Sequence, residues 1–119
     1  MKNAYFITGT DTDVGKTYAT VAFMHYVKQQ GKTVIGMKPV AAGCTLHDGK
    51  LKNDDALSLQ KHASIQVDYD LINPYAYLKP VSPHIAGADN PVNVARVGQL
   101  FHSLQSLADV VLVEGAGGW

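Results

Sequence analysis

Residues 4–17, Ala-Tyr-Phe-Ile-Thr-Gly-Thr-Asp-Thr-Asp-Val-Gly-Lys-Thr, decide the fold. A short apolar run leads into a glycine-framed loop, which ends in Gly15-Lys16-Thr17 where a helical pattern begins. Strand, loop and helix in that order make a phosphate-binding loop. Its backbone N–H groups cradle nucleotide phosphates, its lysine reaches the β/γ oxygens, and its threonine hydroxyl holds Mg²⁺. The helix N-terminus adds its positive dipole end. Gly9 lies six residues before Gly15, one more than the simplest pattern wants, so Thr10 stands at the first-glycine position. After Lys16 the apolar residues Ala19, Ala22, Phe23, Tyr26 and Val27 recur at helical spacing, giving an amphipathic helix with Gly31 as its C′ residue.

Outward from this loop, residues 5–8, 34–37 and 110–113 are short apolar runs rich in β-branched residues, with helical patterns between them. They predict buried parallel strands of a doubly wound α/β domain with right-handed crossovers. Asn53 is placed to cap a helix over 54–62 whose first turn carries Asp54 and Asp55, favourable for its dipole. Ser82-Pro83 has the pattern of a cap followed by proline at the first helical position. A last helix spans 93–107, with Val94, Val97, Leu100, Phe101, Leu104 and Leu107 on its apolar side. Residues 45–52 are polar and turn-like and predict a loop. Residues 110–118, Val-Val-Leu-Val-Glu-Gly-Ala-Gly-Gly, are the kind of strand and glycine loop that sits mid-sheet, yet only Trp119 follows. The expectation is a truncated chain, residues 1–119 forming the N-terminal part of one P-loop α/β domain.

Composition excludes several classes. Ten Lys plus Arg balance ten Asp plus Glu over 119 residues, so no broad electrostatic surface for nucleic acid or anionic membrane is expected. No apolar run is long enough to span a bilayer, and the N-terminus has no signal-peptide plan. A single cysteine, Cys44, precludes an intramolecular disulfide and fits a reducing cytoplasm, where an ordinary loop thiol is expected. The five histidines, His84 among them, lack ligand spacing. Tyr69, Tyr75 and Tyr77 have no interleaved basic residues and predict packing rather than base stacking.

Ligands of open α/β sheets sit outside the carboxyl ends of the strands. The first predicted strand delivers the phosphate loop to that edge, the second Lys38, and the third Glu114 with Gly115-Ala116-Gly117-Gly118. A carboxylate ending an apolar strand beside a phosphate loop acts on Mg²⁺ or its water shell, and the following glycines admit phosphates close to the backbone. Asp54 and Asp55 remain open between helix N-terminal charge and metal ligation.

The loop 9–17 resembles that of dethiobiotin synthetases. So do Lys38-Pro39-Val40-Ala41-Ala42-Gly43, Asn53-x-Asp55-Ala56-Leu57, Asn73-Pro74-Tyr75, Ser82-Pro83-His84-Ile85 and Val113-Glu114-Gly115-Ala116-Gly117-Gly118-Trp119. These segments run in order from end to end of the chain. The phosphate loop alone would not separate this family from cobyrinate amidating synthetases or partition-type ATPases, whereas the Lys-Pro-Val and Ser-Pro-His segments do. The resemblance implies a homodimeric enzyme that uses CO₂ and MgATP to close a cyclic urea on 7,8-diaminononanoate, giving dethiobiotin, ADP and phosphate. It implies that Asp13, Val14, Gly15, Lys16, Thr17 and Tyr18 bind the nucleotide phosphates and that Thr17, Asp55 and Glu114 hold Mg²⁺. It implies that Lys38 is the catalytic lysine, that Thr12 lies near the substrate carbamate, and that Gly115, Ala116 and Gly117 line the nucleotide side.

Two departures stand out. Ala42 replaces a hydroxyl residue that contacts substrate in the family; unless backbone contacts compensate, diamine binding weakens by about one hydrogen bond, ~1 kcal/mol. Family members are also roughly twice as long. The competing readings are a non-catalytic remnant that at most binds nucleotide, with an exposed strand edge that promotes association, and another P-loop amidating ATPase.

Overall fold

Residues Val34–Met37 are apolar or glycine throughout and all four are buried, as a strand covered on both faces requires. A computed structural model describes residues 3–7, 13–79 and 88–115, with the side chains of Asp13 and Val14 left out. The elements in chain order are β1 (Asn3–Ile7), α1 (Asp13–Gln29), β2 (Val34–Met37), β3 (Val40–Ala41), β4 (Thr45–His47), β5 (Lys50–Lys52) and α2 (Asp54–His62). There follow α3 (Tyr69–Ile72), β6 (Tyr75–Ala76), α4 (Val94–Gln105) and β7 (Val110–Glu114). The main sheet has the order β1-β7-β2, and both pairings are parallel. Ile7 pairs with Glu114 and Met37 with Val113, so all three strands finish at one edge. At the opposite edge Asp109 Oδ2 accepts from the Thr33 amide at 3.0 Å, and the Thr33 hydroxyl accepts from the Asp109 amide at 2.8 Å.

The core joins Met24 and Val27 of α1, all of β2 except Gly36, Ala56 and Leu59 of α2, Ile72 of α3, Leu104 of α4 and Val110 to Leu112 of β7. Gly36 permits this packing. A Cβ there would lie 2.9 Å from Leu59 Cδ2, so glycine lets α2 approach β2 closely. Asn53 caps α2 by accepting from the Ala56 amide at 3.0 Å, and Asn93 caps α4 by accepting from Arg96 at 3.1 Å. Gly31 closes α1 with φ of 78°.

The structure corrects four expectations. The strand expected over 5–8 is parallel as predicted but not buried, since Tyr5 and Phe6 of β1 are exposed. Residues 45–52 are not a loop but an antiparallel hairpin, β4 paired with β5. Its turn, Asp48-Gly49, takes positive φ at both residues, 54° and 81°, the twist that a two-residue hairpin demands and that Asp-Gly supplies. On α1 the buried positions are Lys16, Thr17, Thr20, Met24 and Val27, whereas Ala19 and Ala22 are exposed and Phe23 and Tyr26 are 36% and 56% exposed. Hydrophobic spacing placed the apolar side toward the flank beside β1, where Phe23 stacks with Tyr5 and Tyr26. On α4, Leu104 is buried and Val97, Leu100 and Phe101 partly so, but Val94 at the first turn and Leu107 beyond the last are exposed. The short helix α3 and the parallel pair β3–β6 had no counterpart in the pattern reading.

Candidate functional site

Lys38 follows β2 directly, and its side chain is 1% exposed rather than solvated. Burying an ammonium requires partners. Its Nζ lies 3.3 Å from Asp55 Oδ2, in the first turn of α2, and 3.8 Å from Glu114 Oε1, at the end of β7. Glu114 is fully buried, and Oε1 also accepts from the Thr17 hydroxyl at 2.8 Å. Burial pushes the Glu114 carboxyl above its ordinary value, opposed by the Thr17 hydrogen bond and the Lys38 charge. Its second oxygen, Oε2, is buried without a hydrogen-bond partner among the described residues. Lys16, also buried, donates to the Gly115 carbonyl at 3.2 Å, so the lysine and the threonine of the phosphate-loop motif both meet the end of β7.

Four residues singled out in the sequence converge, two at strand ends and two in the first turns of helices. Thr17, Lys38, Asp55 and Glu114 form one cluster of two carboxylates, an ammonium and a hydroxyl. Asp54 is exposed, which separates it from Asp55. Beside the cluster an open cavity of about 300 Å³ is lined by Thr17, Tyr18, Val21, Asp55 and Ser58. Tyr18 is 80% exposed, and Gly15 is exposed at the start of α1. Ala42 lies after β3, and Gly115 immediately follows Glu114. Thr12, Ala116 and Gly117, the glycine-framed part of the loop at 8–12, and Ser82-Pro83-His84 lie outside the described residues.

The donor set suits Mg²⁺. That ion takes one or two carboxylates and keeps several waters, and the buried, unpartnered Oε2 of Glu114 is an acceptor that a cation or its water would satisfy. Thr17, Asp55 and Glu114 are the residues that would hold it.

Behind the cluster is a layer that the motifs did not predict. Tyr69, 6% exposed, donates from its hydroxyl to Asn73 Oδ1 at 2.6 Å and accepts from the Asn53 amide at 2.8 Å. Asn73 Nδ2 donates to the Lys38 carbonyl at 2.9 Å and to the Tyr75 carbonyl at 3.3 Å. Burial pushes the Tyr69 hydroxyl up to about 12, so it stays a donor at any ordinary pH. The packing role expected of Tyr69, Tyr75 and Tyr77 holds, since all three are buried; each also uses its hydroxyl, Tyr75 accepting from Asn93 N and Tyr77 donating to the Asn90 carbonyl. Cys44 is a buried thiol raised by desolvation, with its Sγ 3.6 Å from the Ala41 carbonyl. No helix among the described residues is long and apolar enough to cross a membrane.

The chain is homologous to ATP-dependent dethiobiotin synthetases: it is 46% identical to that of Salmonella typhi and 45% identical to that of Serratia marcescens, each over 100% of this chain and 53% of the relative. The enzyme of Escherichia coli (strain K12) is 46% identical, over 100% of this chain and 54% of its own length. The chain thus spans about half the length of the curated relatives it matches. The profile of the AAA domain family matches residues 3–119, and with a parallel sheet whose edge gathers Lys16, Thr17 and Glu114, the chain belongs to that family of P-loop α/β domains.

Proposed function

We propose that this chain carries the phosphate-handling and carbamate-handling part of a dethiobiotin synthetase, an enzyme that carboxylates and cyclises 7,8-diaminononanoate with CO₂ and ATP. The observation that supports this best is the buried Lys38 ammonium set between Asp55 and Glu114, a short step from the Thr17 hydroxyl.

The reaction needs such a cluster. One amine of the substrate adds to CO₂ and loses a proton, giving an anionic carbamate. A carbamate oxygen then forms a bond to the γ-phosphorus as the bond to ADP breaks, and two anions approach only where cations surround them. Lys16 neutralises phosphate charge and Lys38 faces the carbamate. Mg²⁺, when held by Thr17, Asp55 and Glu114, supplies further neutralisation of the phosphate oxygens. The second amine attacks the activated carbonyl, the carbon–nitrogen bond forms as the carbon–oxygen bond to phosphate breaks, and phosphate leaves. Holding both amines in one site makes that closure intramolecular. No protein nucleophile takes part. The cavity beside Tyr18 and Val21 offers apolar surface to the substrate's methylene chain.

The test supplies the 119-residue chain with diamine, labelled bicarbonate and MgATP, and reads product by mass spectrometry. Labelled dethiobiotin supports the reading. Absence of product, with nucleotide bound, favours the second reading, a nucleotide-binding chain without turnover. That alternative draws on the exposure of Tyr5 and Phe6 along β1, 47% and 62%. Homodimer formation, expected from the resemblance, is measured in the same preparation by light scattering.

A further inference from the structure

We propose that Tyr69 and Asn73 are positioning residues that hold Lys38 and Asp55 at the distance the site requires. The inference rests on the functional reading above for why those two residues matter, but its structural content stands apart.

Lys38 and Asp55 come from different elements, the end of β2 and the first turn of α2. Gly36 and Leu59 pack these two elements together, and the Tyr69–Asn73 pair adds a hydrogen-bonded tie beside the two site residues. Asn73 Nδ2 ties to the Lys38 carbonyl, and the Lys38 amide in turn donates to the Ile72 carbonyl at 2.8 Å, so both backbone groups of Lys38 are held by residues 72 and 73. On the other side, the Tyr69 hydroxyl takes the Asn53 amide, and Asn53 is the cap of α2: its side chain accepts from Ala56 and its carbonyl from Leu57 at 3.0 Å. Asp55 lies between these capped positions. The chain of contacts therefore runs from the Lys38 backbone through Asn73 and Tyr69 to the turn that carries Asp55. Asn73 is 2% exposed, so its partners are obligatory rather than exchangeable with water. The Tyr69 ring is steadied from outside by Lys50 and Lys52, whose ammonium groups sit 5.7 and 5.3 Å from its centroid, and Lys50 also pairs with Asp70. The hairpin β4–β5 thereby packs onto the network.

The experiment is reductive methylation of the unliganded chain with formaldehyde and a borohydride donor, quantified for each lysine by mass spectrometry. Tyr69→Phe keeps the ring and removes the hydroxyl. We expect Lys38 methylation to rise about fivefold relative to exposed Lys32 and Lys61, the factor that one ordinary hydrogen bond corresponds to. Val110→Ala, which loosens the core at the opposite end of the sheet, where Val110 pairs with Asn3, leaves the ratio unchanged. An unchanged Lys38 ratio in Tyr69→Phe, or an equal rise in Val110→Ala, overturns the proposal. Amide hydrogen exchange on the unaltered chain reads the same coupling without a substitution. The Asn53 and Lys38 amides, donors to Tyr69 and Ile72, exchange through one common opening; Asn53 exchanging about tenfold faster than Lys38 overturns it. Neither measurement uses nucleotide, so failure of the chain to bind ATP overturns the functional reading and leaves these outcomes as they fall.

Discussion

The Thr17 hydroxyl donates to Glu114 Oε1 at 2.8 Å, joining the first turn of the helix after the phosphate loop to the end of the central strand. Glu114 keeps its other oxygen unpartnered, and that asymmetry gives the first prediction. Glu114→Gln is expected to weaken nucleotide binding in the presence of Mg²⁺ by about tenfold, the size of one charged hydrogen bond, with a smaller effect when metal is chelated. Titration of a fluorescent ATP analogue with and without EDTA measures both; equal effects in the two conditions would remove Glu114 from the metal site.

The same carboxylate predicts a pH dependence. Burial raises its pKa in the folded chain, so between the unfolded and folded values the native state binds more protons than the unfolded one. The Glu114 contribution to stability is therefore fully present below the unfolded value and is lost as pH rises through the folded one. Glu114→Gln should be relatively more stable than the parent at pH 7 than near pH 4, as read from urea midpoints at the two pH values. A constant difference would contradict the burial argument.

Gly36 faces Leu59 so closely that an added methyl group would force the Leu59 side chain to shift. Gly36→Ala is expected to cost about 1–3 kcal/mol by overpacking, and Leu59→Ala in the same chain should give part of that cost back. Thermal or urea unfolding of the two single variants and the double variant checks the sign of the coupling.

In the proposed reaction Lys38 faces the anionic carbamate. In a form of the protein that turns over, Lys38→Ala should lower kcat by about 10²-fold or more while nucleotide still binds through Lys16. Near-normal turnover would show that the cation was assigned to the wrong lysine.

Loss of the Asn53 side chain should cost about 1 kcal/mol of stability, as for an ordinary helix cap. Asn93→Ala provides the comparison, since α4 has the same kind of cap. Urea unfolding of both variants measures whether α2 costs more.

What the sequence made legible followed from local chemistry. The α2 boundaries agree with the structure because Asn53 can only cap and the two aspartates favour the helix start. Residues Val34–Met37 were recognisable because a short apolar run with β-branched Val34 and Ile35, set between helical patterns, suits a covered strand. The hairpin escaped because each of its strands is three residues long and mostly polar, so its only strong signal is Asp48-Gly49. The buried side of α1 was misplaced because Thr20 is buried for its hydrogen bond to the Lys16 carbonyl, not for hydrophobicity, and periodicity weighs only the latter. Convergence of Lys38 and Glu114 beside the phosphate loop was arguable from strand ends and that of Asp55 only from the family resemblance, but the burial of Lys38 was not arguable, since its partner Asp55 comes from α2. The Tyr69–Asn73 pair was beyond reach for the same reason: Asn73 finds the Lys38 carbonyl across 35 residues.

The sheet order β1-β7-β2 also bears on how the chain acquires its shape. Two strands made early are separated by one made much later, and the Thr17–Glu114 bond closes a gap of 97 residues. Among the described residues β7 is the strand that pairs with β1 and β2, so that pairing waits until residues 110–114 leave the ribosome, however early the other two emerge. Such long-range pairing folds slowly and leaves apolar strand edges waiting in the open. The nascent chain is thus most vulnerable to aggregation and to proteases before the strand that joins β1 to β2 arrives, and that strand brings Glu114 to the site with it.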